Sequence, residues 1–81
     1  MTSRTILIVD DDDDLRGTLV EQLALYEEFD VLQEATAAKG VAAARGGLID
    51  LLIMDVGLPD MDGREAVKIL RKGGYKGRSS C

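Results

Sequence analysis

Three aspartates stand where this sequence could do chemistry. Asp10 and Asp11 follow directly on the apolar run Ile6-Leu7-Ile8-Val9. Asp55 follows directly on Ile49 to Met54, a second apolar run broken only by Asp50. Carboxylates brought into one cleft are costly: two of them about 5 Å apart repel by roughly 3 kcal/mol at an effective dielectric of about 20. A raised pKa or a bound cation relieves that cost. The chain has no His, and its single Cys is the last residue. The donors are therefore oxygens, and the cation they select is hard: Mg²⁺, Mn²⁺ or Ca²⁺, an octahedral Mg²⁺ among them fitting carboxylates, a backbone carbonyl and waters. The missing His also excludes His general bases and His phosphocarriers.

The elements needed to bring these acids together are legible in the period of the apolar residues. Ile6 to Val9 reads as a strand buried on both faces, as in a parallel sheet. From Leu15 the spacing becomes helical, with Leu15, Leu19, Leu23 and Tyr26 on one face and Val20 and Leu25 beside it. Asp12, Asp13 and Asp14 occupy the positions of an N-cap and first turn. Phe29 to Glu34 is a weaker strand. Ala37 to Arg45 reads as a helix stopped by Gly46-Gly47. Ile49 to Met54 is a third strand. A turn-rich segment, Gly57-Leu58-Pro59-Asp60-Met61-Asp62-Gly63, leads to a helix from about Arg64 to Lys72, stopped by Gly73-Gly74. This βαβαβα alternation predicts a parallel sheet with right-handed crossovers. Ligands in such sheets bind at the carboxyl ends of the strands, which is where Asp10, Asp11 and Asp55 fall.

Size and charge narrow the function further. Eighty-one residues make one small domain. Hydrophobic residues are 46% and charged residues 31%, an ordered globular balance. Aromatics are 4%, so the core must be aliphatic. No apolar run approaches the roughly 20 residues of a membrane span, and no secretory signal is visible, so a cytoplasmic location is expected. Net charge is −5, divided as −8 over residues 1–34, −2 over 35–63 and +5 over 64–81. The basic end reads as a solvated helix face and tail. Direct nucleic-acid binding by this segment is not expected, because the chain as a whole repels phosphate backbones. Arg16 and Arg64 are expected to be surface charges, Asp60 and Asp62 loop and cap residues, and Cys81 a terminal thiol able to cross-link chains in air.

The segments Ile-Leu-Ile-Val-Asp10-Asp11 and Leu-Leu-Ile-Met-Asp55-Val-Gly-Leu-Pro59-Asp-Met-Asp62-Gly63 together resemble the receiver domain of two-component response regulators. The resemblance runs from residue 5 to about residue 76. It implies a flavodoxin-like α/β fold with strand order 2-1-3. It implies that Asp55 is the phosphoacceptor, taking a phosphoryl group from a histidine kinase or phosphotransfer protein. It further implies Mg²⁺ held by Asp10, Asp11, Asp55 and the backbone carbonyl of Gly57, with Asp11 the direct ligand and Asp10 acting through metal-bound water. Pro59 and Gly63 are implied to shape the loop. The product is a signalling adduct, so no enzyme beyond slow autodephosphorylation is expected.

A receiver of that family has five βα units, and three are readable here. The family's Ser or Thr at the end of strand 4 and its Lys at the end of strand 5 have no match. Residues 1–76 are therefore expected to form the N-terminal part of a receiver, and residues 77–81 a non-family tail without strand structure. The chain is read as truncated, with strand 3 as an exposed apolar edge through which copies self-associate. Such a fragment is expected to signal poorly, the alternative being a phosphoacceptor that is still competent. A haloacid-dehalogenase-type phosphohydrolase also begins with an apolar strand and Asp-x-Asp, here Asp10 and Asp12. It would further need a cap, a later Lys and another acidic pair.

Overall fold

A computed structural model gives the fold and describes residues 3–80; Cys81 lies outside the described residues. The order is β1 (Arg4–Val9), α1 (Asp13–Ala24), β2 (Phe29–Glu34), α2 (Ala37–Gly46), β3 (Leu51–Met54), α3 (Gly63–Lys72) and β4 (Arg78–Ser80). All strand pairings are parallel, and the sheet order is β2-β1-β3-β4. β1 is central because Ile6 to Val9 is apolar on both faces. Ile6 aligns with Val31 on one side and Leu51 on the other.

Reversing direction at β1 places the crossovers on opposite faces of the sheet. Leu7 and Val9 from β1 and Leu52 and Met54 from β3 point to α2 and α3. There they pack with Ala37, Ala44, Ala66 and Leu70 in one cluster. Small residues on the two helices let them lie close to the strands. Ile6 and Ile8 point the other way, towards α1, and are also buried.

The structure corrects two expectations. Residues 77–81 were expected to hold no strand, yet Arg78–Ser80 form β4 and pair with Leu51–Ile53. β3 is therefore not an edge. The cause is side-chain anchoring rather than an apolar run. Arg71 donates to the Tyr75 carbonyl at 3.2 Å and to Ser79 Oγ at 3.3 Å. The Tyr75 hydroxyl donates to the Arg78 carbonyl at 2.8 Å, and the Arg78 N–H to the Asp50 carbonyl at 3.0 Å. Gly74, at φ 99°, supplies the left-handed turn that sends the chain from α3 into this anchor.

The second correction concerns α1. Its expected face is weakly buried. The helix ends at Ala24, so Tyr26 falls beyond it, and no α1 residue is buried. Leu19, Val20 and Leu23 are half-buried, while Leu15 is 50% exposed. α1 lies over β1 and β2, and no other helix among the described residues joins it on that face.

Candidate functional site

The three acids are brought together as the sequence predicts. β1 and β3 are neighbours in register, so their last residues emerge side by side; the Asp55 N–H donates to the Val9 carbonyl at 2.9 Å. One carboxylate oxygen from each of Asp10, Asp11 and Asp55 lies within 4.8 Å of the others. Asp10 is buried, Asp55 half-buried and Asp11 exposed. Octahedral Mg²⁺ with oxygens at about 2.1 Å spaces its ligands about 3–4 Å apart, so this all-oxygen trio fits such an ion with a small closure or one bridging water.

The surroundings fix the acids in place. The Asp10 Oδ1 accepts the Asp12 N–H at 2.9 Å, an Asx turn that leads into α1. Asp12 is the N-cap of α1, accepting from the Leu15 N–H at 3.0 Å. The Gly57 N–H points at Asp55 Oδ1, 3.3 Å away, which places Gly57 on the wall of the cluster. Gly63 packs directly against the Asp55 carbonyl, and a Cβ there would collide with that oxygen.

Two residues do more than the sequence foretold. Arg16 was expected on the surface, yet its side chain is only 13% exposed. Its guanidinium donates to the Asp10 carbonyl, to Gln33 Oε1 at 2.9 Å and to Asp13. It straps α1 to β2 and sets a positive charge beside the acid cluster. The spacing of Asp10 and Arg16 held a weak signal of this, since Arg16 lies within the first turn of α1, close to the end of β1.

Asp60 was expected to be a loop or cap residue, and the helix it caps is not its own. Its carboxylate accepts from the Ala37 and Ala38 N–H groups, both at 2.9 Å, closing the start of α2. Those two N–H groups, Ala38 first, hold the Asp60 carboxyl below its ordinary range. Asp62 caps α3 as expected, accepting from the Arg64 N–H at 2.8 Å, and the Arg64 guanidinium lowers its pKa. No local pattern links Asp60 to residues 37 and 38.

A cavity of about 920 Å³ opens at the opposite end of the sheet, between Arg45, Leu70 and Tyr75, away from the Asp10–Asp11–Asp55 cluster.

Comparison with known proteins decides the family. The response regulator receiver domain matches residues 6–78. The chain belongs to that family. Its receiver segment is 34% identical over 67 residues to the probable transcriptional regulatory protein TcrX of Mycobacterium tuberculosis, covering 83% of this chain. It spans 28–30% of the length of the curated relatives it matches. Among solved structures it resembles the receiver domain of the hybrid histidine kinase CckA, at 31% identity and TM-score 0.84, covering 93% of this chain and 70% of that one. It also resembles the response regulator TrrA, solved in complex with the histidine kinase ThkA. That match has 26% identity and TM-score 0.85 and covers 94% of this chain and 65% of the other. Receiver domains are signalling domains rather than enzymes, and they generally use Mg²⁺ at an acidic pocket such as the Asp10–Asp11–Asp55 cluster. Among the described residues no helix is long and apolar enough to cross a membrane.

Proposed function

We propose that this receiver acts in the cytoplasm and carries the acid half of a phosphoacceptor site, with Asp55 as the acceptor and a histidine kinase or phosphotransfer protein as donor. The observation that carries the reading is the convergence of Asp10, Asp11 and Asp55 at the carboxyl ends of two adjacent strands. An Asp55 oxygen forms a bond to phosphorus as the donor's P–N bond breaks, and the imidazole leaves with the electron pair. Asp10, Asp11, Asp55 and the Gly57 carbonyl would hold Mg²⁺ (or Mn²⁺), whose contribution is to neutralise charge on the transferring phosphoryl oxygens. Arg16 and the Asx turn at Asp12 keep Asp10 aimed into the cluster. The kinase partner is supported by the relative TrrA, solved with ThkA.

We infer further that this chain is a poor switch. Ser79 of β4 stands opposite Leu52, three residues short of Asp55, and its hydroxyl is engaged by Arg71. Lys68 pairs with Glu65 at 3.6 Å along α3. Neither group is available to hold phosphoryl oxygens at the cluster. Self-association belongs to the same reading. With β3 paired to β4, its surface is the α1 side of the sheet, not the β3 edge.

Intact mass after incubation with Mg²⁺ and a small acyl phosphate tests this. Slow, substoichiometric addition of one phosphoryl group, lost in Asp55→Asn, is the expected result. Modification that survives Asp55→Asn would remove Asp55 as acceptor. Rapid stoichiometric modification would make the chain a competent switch.

A further inference from the structure

The α1 side of the sheet carries two features that match one another. The first is a projection. Leu25 and Tyr26, just beyond α1, are 76% and 55% exposed, and the exposed acids Glu27 and Glu28 follow them. The second is a groove of about 410 Å³ on the same side, floored by Ile6, Phe29 and Leu51 and rimmed by Arg4, Arg78 and Asp50. The Asp50 carboxylate is engaged, its Oδ2 accepting the Thr5 N–H at 2.7 Å. The Arg4 and Arg78 guanidiniums have no ion-pair partner among the described residues. The Tyr26 ring lies 5.6 Å from the Phe29 ring, so projection and groove are neighbours on one molecule.

Projection and groove are complementary in both character and charge: apolar side chains followed by two acids, and an apolar floor rimmed by two arginines against one carboxylate, Asp50, that is already hydrogen-bonded. Two complementary parts, adjacent on one surface, are what a twofold dimer requires, because each copy then offers and receives the same contact. We propose that this face binds a second copy of the chain. Leu25 and Tyr26 of each copy sit in the Ile6–Phe29–Leu51 groove of the other, and Glu27 and Glu28 meet Arg4 and Arg78. This deepens the self-association reading above and rests on it. With a net charge of −5, two copies repel at long range. The contact therefore depends on where the opposite charges meet, and added salt weakens those rim pairs.

Molar mass by light scattering across a concentration range, with circular dichroism on each variant, tests the proposal. The full chain is expected to dimerise. Leu25→Asp, Arg78→Glu and the double variant Glu27→Lys/Glu28→Lys are each expected to weaken the dimer about tenfold or more. Their circular dichroism should be unchanged, because the replaced side chains are exposed. Mixing Arg4→Glu/Arg78→Glu with Glu27→Lys/Glu28→Lys keeps acids opposite arginines at one contact, sets lysines opposite acids at the other, and is expected to restore the dimer. A monomer at every concentration overturns self-association itself and means that something other than a second copy covers the groove. Self-association that ignores Leu25→Asp and Arg78→Glu leaves that reading standing and overturns this surface. Variants that dissociate but do not recover on mixing overturn the charge pairing.

Discussion

The two faces of the sheet are built from the same four strands and end up differently. On the α2–α3 side, Leu7, Val9, Leu52 and Met54 meet two helices whose small residues allow close approach, and the space is filled. On the α1 side, one helix covers β1 and β2 and leaves Leu51 and Ile53 half-exposed. The apolar content of the strands is nearly equal on the two sides. Burial is therefore decided by how many helices the crossovers deliver to each face, not by strand hydrophobicity.

Substitutions can break this comparison. Leu52→Ala on the filled side is expected to cost about 2–5 kcal/mol, enough to unfold much of so small a domain, as read by urea denaturation. Gly63→Ala comes next: the new Cβ meets the Asp55 carbonyl. It is expected to lower the midpoint and to weaken Mg²⁺-dependent thermal stabilisation together. Equal stability of Gly63→Ala and the parent would show that the loop moves aside freely. Leu15→Ala on the α1 side should cost under about 1 kcal/mol, because half of that side chain is already in water. A cost comparable to Leu52→Ala would mean that the α1 face is as well packed as the other.

The acid side of the stability curve sharpens the contrast without touching the core. The Asp60 and Asp62 carboxyls are held below their ordinary value of 3.8 by the N–H and guanidinium groups they accept from. Their stabilisation is fully present above that value and is lost as pH falls through their depressed folded-state pKa. Asp60→Asn is expected to make the acid unfolding limb shallower and to speed amide exchange at the start of α2. An unchanged acid limb would remove Asp60 from the structural role given to it.

Much of the site was legible in the sequence because the signals were local. An apolar run fixes a strand, and the residue after it must emerge at the carboxyl end, so Asp10, Asp11 and Asp55 could be placed at one end of the sheet; that the first and third strands are neighbours followed only from the resemblance to receiver domains. β4 was not legible, because Arg78-Ser79-Ser80 carries no apolar pattern and is held by Arg71 and Tyr75 from outside the strand. The hold of Asp60 on α2 was hidden for a related reason: its partners lie 22 and 23 residues away. The face of α1 was overread, since periodicity reports which side of a helix is apolar and not whether anything lies against it. Arg16 was underread, since its role depends on Gln33 of a strand that does not yet exist when the helix is read alone.

The segment between Asp55 and α3 is fastened at two points. Gly63 rests on the Asp55 carbonyl, drawing the two ends of the segment together, and Asp60, three residues before Gly63, grips the first turn of α2. A shift of the Asp55 backbone is thus geared to two helices at once, pushing α3 by contact and tugging α2 by its cap. The filled face, rigid in its interior, would then move as a single plate hinged on this loop, while α1 stays tied to Asp10 through Arg16.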